Sequence, residues 1–336
     1  MEESIRLVHG NGGRFSHELM KQYIMPHFKN DVLAKLHDGA QFEVPAGRMA
    51  FTTDSYVVTP QFFPGGNIGK LAVCGTVNDL AMNGAKPLYL SCGLILEEGL
   101  GLATLDTVLT TMAQMAEEAG VSIVTGDTKV VEKGAVDGIY INTSGVGCIP
   151  HAIDIDPVRV KPGMKIILSG SLGDHAIAVM GSRYDLTLPA SIKTDCAPLN
   201  HMVMAVLEAV GPKVALMRDP TRGGLATTLH EIANQSEVGI RVDEVRLPIH
   251  DEVQSVCNIL GYDPLYLANE GKAVFVVEEV AVDEVLHILH NQPYGKEAAC
   301  IGEVLSANAG KVGLKTTLGG IRLLDELGED QVPRIC

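Results

Sequence analysis

Four aspartates stand in short segments rich in threonine and glycine, where a carboxylate tends to end a strand or open a helix. They are Asp54 in TTDS, Asp79 in VNDLAMNGAKP, Asp127 in TGDTK and Asp219 in RDPTRGG. Mg²⁺ prefers oxygen ligands and keeps waters for bridging to phosphates. Taken singly, each aspartate is more simply explained as a turn or cap residue. Their combination is what favours a magnesium site for a polyphosphate.

Two glycine-rich segments offer backbone N–H groups to an anion. In HGNGG, residues 9–13, the candidates for nucleotide contact are His9, Gly10, Gly12 and Gly13. A flexible turn is the alternative, and neither a P-loop nor a dinucleotide fingerprint occurs in the chain. In TRGG, Gly223 should lead a tight turn into a helix whose first N–H groups can hold phosphate. Arg222 beside it would contact the phosphate or pair with a nearby acid.

The chain ends in GEDQVPRIC, residues 328–336, with a cysteine as its last residue. A terminal cysteine packs poorly and oxidises easily, so Cys336 is either an accidental end residue or a thiol that carries a group. Extended, these nine residues reach up to roughly 30 Å. With Gly328 as a swivel and Pro333 stiffening the end, we expect a mobile arm. The neighbouring carboxylate disfavours a thiolate, which predicts help from Arg334 or a partner protein.

The composition limits the class of protein. Acidic residues outnumber basic ones by 41 to 26, which gives a net charge of −15 and argues against binding to a nucleic-acid backbone. Neither a signal peptide nor a run of about 18 apolar residues is visible. The seven cysteines include no C-x-x-C pair. We therefore expect a cytoplasmic protein that binds neither nucleic acid nor membrane.

The pattern along the chain predicts two α/β or α+β domains in tandem. Strand and helix signals alternate in both halves, and the segment PHAIDIDPVRVKPGMK, with three prolines, separates them. We place the first domain at residues 1–150 and the second at 151–327. In the first, Asn67 is the expected cap of a helix that Asn83 and Gly84 close. A helix over 104–120 and a short one over 16–28 are also predicted.

Together these motifs resemble the HypE family of hydrogenase maturation factors. The family belongs to the superfamily of aminoimidazole ribonucleotide synthetase, selenophosphate synthetase and thiamine monophosphate kinase. The resemblance runs from residue 9 to residue 336 and rests on HGNGG, TTDSYVV, VCGTVNDLAMNGAKP, TGDTKVV, DPTRGGLA, NEG and PRIC. The internal motifs are common to the superfamily, whereas the terminal PRIC is specific to HypE. The resemblance implies a two-domain PurM-like fold and a homodimer in which the N-terminal sheets form a barrel-like interface beside ATP.

The resemblance also implies an activity. In that family the carbamoyltransferase HypF places a carbamoyl group on the terminal cysteine, here Cys336. The protein then uses ATP to dehydrate the S-carboxamide to a thiocyanate. The cyano group passes to iron held by the HypC–HypD complex, for the [NiFe]-hydrogenase centre.

Such a dehydration needs a metal on the triphosphate, a base for the amide nitrogen and a cation for the developing charge. We assign the base to Glu270, since a partly desolvated glutamate has a raised pKa, and the cation to Lys129. Asn67 is an additional oxygen ligand, and Thr128 completes the nucleotide-binding set. The alternatives are that Glu270 and Gly271 form only a turn and that Lys129 is a surface residue.

Two other functions are compatible with the residues. One is an ATP-dependent small-molecule kinase or synthetase of the same fold, which would have no use for a terminal cysteine. The other is a non-enzymatic scaffold that docks maturation partners, against which the four aspartates argue.

Overall fold

The first half of the chain folds as a sheet covered on one face by helices. The computed structural model describes residues 4–35, 39–327, 332 and 334–336. The strands are β1 (Arg48–Tyr56), the short pair β2 (Phe62–Phe63) and β3 (Gly66–Asn67), β4 (Lys86–Glu97), β5 (Ser122–Val131) and β6 (Ile139–Ile149). The helices are α1 (Arg14–Leu19), α2 (Ile68–Met82) and α3 (Leu102–Ala119).

The main sheet of this half has the order β1, β6, β4, β5. The strands β1, β6 and β4 are antiparallel neighbours, and β4 and β5 are parallel. Alternate residues of β1 face α2 or point outward, so Tyr56 is buried whereas Phe51 is 71% exposed. The outer face of this sheet therefore carries apolar side chains, such as Phe51, that no other described part of the chain covers.

Local signals in the sequence account for the ends of the helices. The side-chain oxygen of Asn67 accepts the N–H groups of Gly69 and Lys70 over 2.9 and 3.2 Å, which confirms it as the cap of α2. Gly120 ends α3 with a φ of 69°. The first helix differs from its prediction, because it begins at Arg14 and continues as a π-helical turn over Met20–Ile24. The hydroxyl of Ser16, the first residue of the predicted helix, accepts from the N–H of Gly12.

The second half is built on a seven-stranded sheet. Its strands are β7 (Lys165–Leu168), β8 (Val214–Arg218), β9 (Gly239–Asp243), β10 (Val274–Val277), β11 (Ala299–Leu305), β12 (Val312–Lys315) and β13 (Ile321–Leu324). Its helices are α4 (Asp174–Arg183), α5 (Asn200–Val210), α6 (Gly224–Gln235), α7 (Asp251–Leu260) and α8 (Val282–His290). The strand order is β13, β12, β9, β11, β7, β10, β8. The predicted mixture of strands and helices in both halves is confirmed, although β8, β9 and α7 were not predicted.

Of the three hydrophobic clusters among the described residues, the largest spans both halves. Residues 176–180 of α4 and Val253 of α7 pack in the same buried cluster as α2 and α3. Val332 and Ile335, near the end of the chain, belong to that cluster as well. Arg183 of α4 donates from Nε to the carbonyl oxygen of Thr59, just beyond β1, so α4 contacts the first half of the chain directly. Within the described residues, no helix is both long and apolar enough to cross a membrane.

Candidate functional site

The described residues of the C-terminal segment lie docked against their own chain. The N–H groups of Val57 and Thr59 donate to the carbonyl oxygens of Cys336 and Arg334 over 3.3 and 3.4 Å. The pairing runs antiparallel and continues β1 beyond Tyr56. The segment predicted to be a mobile arm is thus seen in an inward position. The expected swivel at 328, the solvated residues 329–331 and the proline at 333 lie outside the described residues.

Two side chains of α4 bind carbonyl groups of this segment. His175, with no exposed surface, is bonded through Nε2 to the carbonyl oxygen of Ile335 over 2.9 Å. Arg183 donates from Nη2 to the carbonyl oxygen of Arg334 over 2.6 Å. Together with the strand pairing, these bonds fix the last three residues in one register.

The side chain of Arg334 binds groups other than the Cys336 thiol. Its guanidinium binds the carboxylate of Asp137, the carbonyl of Val57 at 3.3 Å and the hydroxyl of Tyr140 at 3.4 Å. Arg334 has a φ of 55°, in the left-handed region, which turns the backbone at this point. The expectation that Arg334 activates Cys336 is therefore wrong for this position of the tail, because the side chain is used to anchor the segment.

Cys336 lies beside the carboxyl group of Glu270. Burial, followed by the charge of Glu270, raises the pKa of the Cys336 thiol well above its usual value, and Arg222 opposes this. Glu270 is 4% exposed, and its Oε1 has no hydrogen-bond partner among the described residues. Burial and the charges around Glu270, among them that of Asp219, raise the pKa of its carboxyl group. A buried carboxyl with an unbonded oxygen beside a sulfur is a candidate proton-transfer group.

Glu270 is held by two contacts of its backbone. Its N–H donates to Oδ1 of Asp195 over 3.0 Å, and Asn78 donates to its carbonyl oxygen over 3.3 Å. Asp195 also pairs with the buried Lys272 over 3.2 Å. The following Gly271 is required, because a Cβ there would lie 1.8 Å from the carbonyl oxygen of Asp195. The NEGK segment is therefore a tightly packed part of the site rather than an open turn.

Three of the four predicted aspartates come together near Glu270. Burial, then the charge of Asp79, raises the pKa of Asp219 to about 7, and Asp54 adds to this. Burial also raises the pKa of Asp79, although the hydroxyl of Thr52 donates to it over 2.7 Å. The guanidinium of Arg222 lies 3.7 Å from Asp54, so it pairs with an acid in this structure. These carboxylates repel one another and would be stabilised by a cation.

Asp127 does not join this group within the chain. It lies on β5, three strands away from Asp54 on β1, which is roughly 14 Å across the sheet at the usual strand spacing. Its carboxylate pairs with Lys129 over 3.0 Å, and that hydrogen bond lowers the pKa of Asp127. In the single chain Asp127 therefore lies apart from the other three aspartates, and Lys129 lies with it at this edge. The reason is the strand order, which separates β1 from β5. The assignment of Lys129 as the cation near the carboxamide oxygen or the γ-phosphate stays a prediction.

In the described ranges, no three His, Cys, Asp or Glu side chains are arranged to hold a metal ion.

The HGNGG loop lies at the same edge of the sheet as Asp127. A Cβ on Gly10 would be 2.8 Å from the backbone nitrogen of Val130, so the loop packs closely on β5. His9 is buried, and its Nδ1 accepts the N–H of Arg6 over 3.0 Å. Gly12 and Gly13 turn the chain into α1. The loop and β5 thus form a second polar group, separate from the three aspartates.

An apolar cavity of about 180 Å³ opens beside this second group. Its walls come from the N-terminal helical segment and from the sheet, and they include Met20, Phe28, Leu94 and Ile123. Gly126, Asp127 and Thr128 line its polar side. Its shape and lining suit a flat apolar group with a charged attachment.

The other two nucleotide candidates have structural roles. The amide of Asn67 uses its oxygen for the α2 cap and donates from Nδ2 to Thr111 over 2.8 Å, so it is fully bonded and offers no free ligand atom. Gly223 has a φ of 72° and leads into α6, as the glycine pair predicted. A Cβ there would lie 2.2 Å from Oγ1 of Thr227, which explains the need for glycine.

Sequence reasoning missed the residues that hold the tail and Glu270 in place. They are His175, Arg183, Asp137, Asp195 and Lys272. No local motif marks them, because each acts on a partner far along the chain; His175 and Ile335 are 160 residues apart. A histidine and a lysine in otherwise apolar surroundings were the only available signal.

Comparison with known proteins identifies the family. Residues 36–149 and 161–315 match the N-terminal and C-terminal domains of AIR synthase related proteins. The carbamoyl dehydratase HypE of Rhizobium leguminosarum bv. viciae is 49% identical over 332 residues, which covers 99% of this chain and 95% of that protein.

Two solved structures are also similar over their whole length. A hydrogenase maturation protein HypE in complex with ATP has a TM-score of 0.95 at 48% identity, covering 98% of this chain and 99% of that one. A HypE–HypF complex contains a chain with a TM-score of 0.81 at 44% identity, covering 94% of this chain and all 100% of that one. The chain therefore belongs to the AIR synthase related family and, within it, to the HypE carbamoyl dehydratases.

Proposed function

We propose that this protein is an ATP-dependent dehydratase that converts an S-carboxamide on its own Cys336 to a thiocyanate, which supplies the cyanide ligand for [NiFe]-hydrogenase iron. The observation that carries the proposal is the contact between the terminal thiol and Glu270 in a buried site. A terminal cysteine held beside a buried carboxyl is what a self-acting carrier requires, and neither a small-molecule kinase nor a scaffold requires it.

The chemistry follows from the neighbours of the sulfur. The carboxamide oxygen is a poor leaving group until it takes the γ-phosphoryl group of ATP, after which the C–O bond breaks and phosphate leaves. Two N–H protons must depart from the nitrogen as the C≡N bond forms. Glu270, whose carboxyl group lies beside the Cys336 sulfur and whose Oε1 is unbonded among the described residues, is the group that accepts one of these protons, and the departing phosphate carries the other. Its burial excludes bulk water, which would compete by hydrolysis.

Mg²⁺ fits the donor set near Glu270. Asp54, Asp79 and Asp219 supply carboxylate oxygens whose mutual repulsion a divalent cation would relieve. Mg²⁺ commonly takes only one or two carboxylates and completes its shell with phosphate and water, so a closed cage of side chains is not required. When bound, the ion would neutralise charge on the triphosphate. Asp127, on β5 beside the HGNGG loop, would act toward the nucleotide instead.

ATP would lie between the three aspartates near Glu270 and the polar group formed by the HGNGG loop and β5. The apolar cavity beside Gly126 suits the adenine base, with Thr128 on its polar side. The loop that contains His9, Gly10, Gly12 and Gly13 packs on β5 at Val130 and would contact the phosphates. Lys129 is exposed there and is placed for the phosphates rather than for Glu270. Arg222 and the start of α6 at Gly223 face the aspartates and would receive the γ-phosphate. A relative with 48% identity is known in complex with ATP, which supports this assignment.

We further propose which proteins this chain binds and the cell compartment in which it acts. A homodimer would join the outer faces of two N-terminal sheets in a barrel-like interface, since that face exposes Phe51 and Met49. A HypE–HypF complex is known for a relative, which supports HypF as the donor of the carbamoyl group. The HypC–HypD complex would accept the cyano group. The seven free cysteines fit a reducing cytoplasm. The domains at 1–150 and 151–327 and the tail at 328–336 remain our assignment.

A mass measurement tests the proposal. Protein carbamoylated on Cys336 is incubated with Mg-ATP, and the mass of its C-terminal peptide is followed. We expect the loss of one water that requires ATP and is abolished by Glu270→Gln. The matched control is Glu208→Gln, an exposed glutamate on α5, which should retain the reaction. An unchanged peptide mass with intact ATP binding would instead favour the kinase, and absence of ATP binding would favour the scaffold.

A further inference from the structure

The site that receives the tail has the features of a peptide-binding groove. We define the tail groove as residues 57–59, Asp137, and His175 and Arg183 of α4. We propose that the tail groove reads peptide sequence and accepts, in trans, a separate C-terminal peptide ending in Arg-Ile-Cys, such as the tail of a second copy of this chain. Its catalytic consequence rests on the proposed dehydratase function, whereas the binding itself does not.

The backbone of the tail is recognised at three successive carbonyl groups. The carbonyl of Arg334 accepts from the N–H of Thr59 over 3.4 Å and from Arg183 over 2.6 Å. The carbonyl of Ile335 accepts from His175 over 2.9 Å, and that of Cys336 accepts from the N–H of Val57 over 3.3 Å. Many proteins bind a peptide as an additional β-strand beside one of their own. In that mode the hydrogen bonds between the two main chains supply much of the affinity. These bonds set the register that brings the last residue to Glu270.

The side chains of the tail provide the means of selection. Val332 and Ile335 are each 5% exposed and pack in the shared core, so a polar residue at either place would be buried without a partner. The guanidinium of Arg334 binds the carboxylate of Asp137. An acidic residue in that place would repel Asp137, which gives discrimination as well as attraction.

None of the groove residues depends on a covalent link to the tail. Residues 57–59 extend from β1, and Asp137 lies between β5 and β6. The helix α4 carries His175 and Arg183, the two side chains that donate to carbonyl oxygens of the tail. Apolar burial on both sides of α4 holds that helix in place. A free peptide would therefore meet the same groups whenever the protein's own tail is displaced. For an S-carbamoyl peptide the reaction is peptide–S–CO–NH2 with ATP giving peptide–S–C≡N, ADP and phosphate.

Binding is tested with a full-length host whose own tail cannot compete. The host carries Arg334→Glu, Ile335→Asp and Cys336→Ala, and its fold is checked by thermal unfolding. The probe is the nonapeptide GEDQVPRIC with an N-terminal fluorophore, followed by anisotropy. We expect it to bind at least tenfold more tightly than the same peptide with Arg334→Glu. A host with Asp137→Arg, Ile335→Asp and Cys336→Ala, which keeps Arg334 so that its own tail is repelled, should reverse this preference. Equal binding of the two peptides, or binding of neither, would overturn the inference.

A second measurement needs no variant protein. A nonapeptide with Cys336→Ser is added to the unmodified chain, and alkylation of the protein's own Cys336 is timed with iodoacetamide. Displacement of the tail predicts a several-fold faster alkylation, and a peptide with Arg334→Glu should not produce it. Identical rates with both peptides at saturating concentration would contradict recognition in trans.

The catalytic consequence is tested separately. The S-carbamoyl nonapeptide is incubated with the host and Mg-ATP, and we expect it to lose one water. Selective binding without loss of water would uphold the tail groove and contradict the dehydratase, because the host retains Glu270. Dehydration of the full chain's own tail without selective peptide binding would uphold the dehydratase and contradict the tail groove.

Discussion

His175 donates the hydrogen on Nε2 to the carbonyl oxygen of Ile335 over 2.9 Å, one residue before the terminal thiol. A carbonyl oxygen can only accept, so the proton must be on Nε2. Nδ1 lies 2.8 Å from the hydroxyl of Thr194, which itself accepts the N–H of Cys196 and therefore donates to the imidazole. Burial lowers the pKa of His175 and keeps the ring neutral. A neutral imidazole thus holds the end of the chain beside Glu270.

Removing that donor should release the tail. In His175→Phe the ring volume is nearly kept, but the buried carbonyl of Ile335 loses its partner, which costs about 1–3 kcal/mol. The undocked population should rise by about 5- to 150-fold, since each 1.4 kcal/mol is a factor of ten. Alkylation of Cys336 by iodoacetamide, followed by peptide mass, measures this rise. His201→Phe, at an exposed histidine bonded to the carbonyl of Glu118, is the matched control. An unchanged alkylation rate in His175→Phe would contradict the role of this bond.

The docked tail could not have been predicted from local sequence. The helix caps at Asn67 and Gly120 follow from the chemistry of single residues and were predicted. The terminal cysteine marked the tail as functional, but its partners His175, Arg183 and Asp137 stand in unremarkable segments. Only the packing of α4 between the two halves places them in one groove. The sequence predicts help for the thiol from Arg334 or a partner protein, whereas the side chain of Arg334 binds Asp137.

The charge of Asp219 should make stability depend on pH when no metal is present. Burial and the charge of Asp79 raise the pKa of Asp219 to about 7, well above its usual value of 3.8. The folded state binds this proton more tightly than the unfolded state, so stability falls as pH rises from about 4 to about 7. Asp219→Asn removes this penalty, which is at most about 4 kcal/mol. In EDTA the variant should unfold at a higher temperature than wild type at pH 8 and at a similar temperature at pH 4.

Two controls accompany this prediction. Asp127→Asn removes an exposed carboxylate whose pKa is lowered by Lys129, so it should give no gain in stability at pH 8. Mg²⁺ with ATP should stabilise the wild-type protein and reduce its difference from Asp219→Asn, because a ligand stabilises the folded state that binds it. A lower unfolding temperature for Asp219→Asn at pH 8 in EDTA would contradict the electrostatic account.

The three aspartates near Glu270 and the separate Asp127 show what motif reading can and cannot provide. Asp54 and Asp127 lie within β1 and β5, Asp79 lies in the last turn of α2, and Asp219 follows β8. Their grouping depended on the strand order β1, β6, β4, β5, which places β1 and β5 at opposite edges of the sheet. Motifs identify candidate ligands, but the sheet topology decides which of them meet.

The exposed face of the first sheet should mediate dimerisation. Phe51 is 71% exposed on that face, near the middle of the edge strand β1. Phe51→Glu would bury a charge at the proposed interface, which is strongly unfavourable without a partner. Light scattering coupled to gel filtration should show a shift from dimer to monomer. The matched control is Ile259→Glu on α7, where the side chain is 83% exposed, and it should leave the dimer intact. A dimer that survives Phe51→Glu would place the interface elsewhere.

The fate of the carboxamide oxygen tests the central claim most directly. The carbamoyl group on Cys336 is prepared with ¹⁸O in its carbonyl, and a single turnover is run with excess Mg-ATP. If the oxygen leaves as phosphate from the site beside Glu270, the inorganic phosphate released will carry the ¹⁸O and the protein will hold a thiocyanate. Unlabelled phosphate with the carboxamide intact, or ¹⁸O recovered in water, would contradict the account.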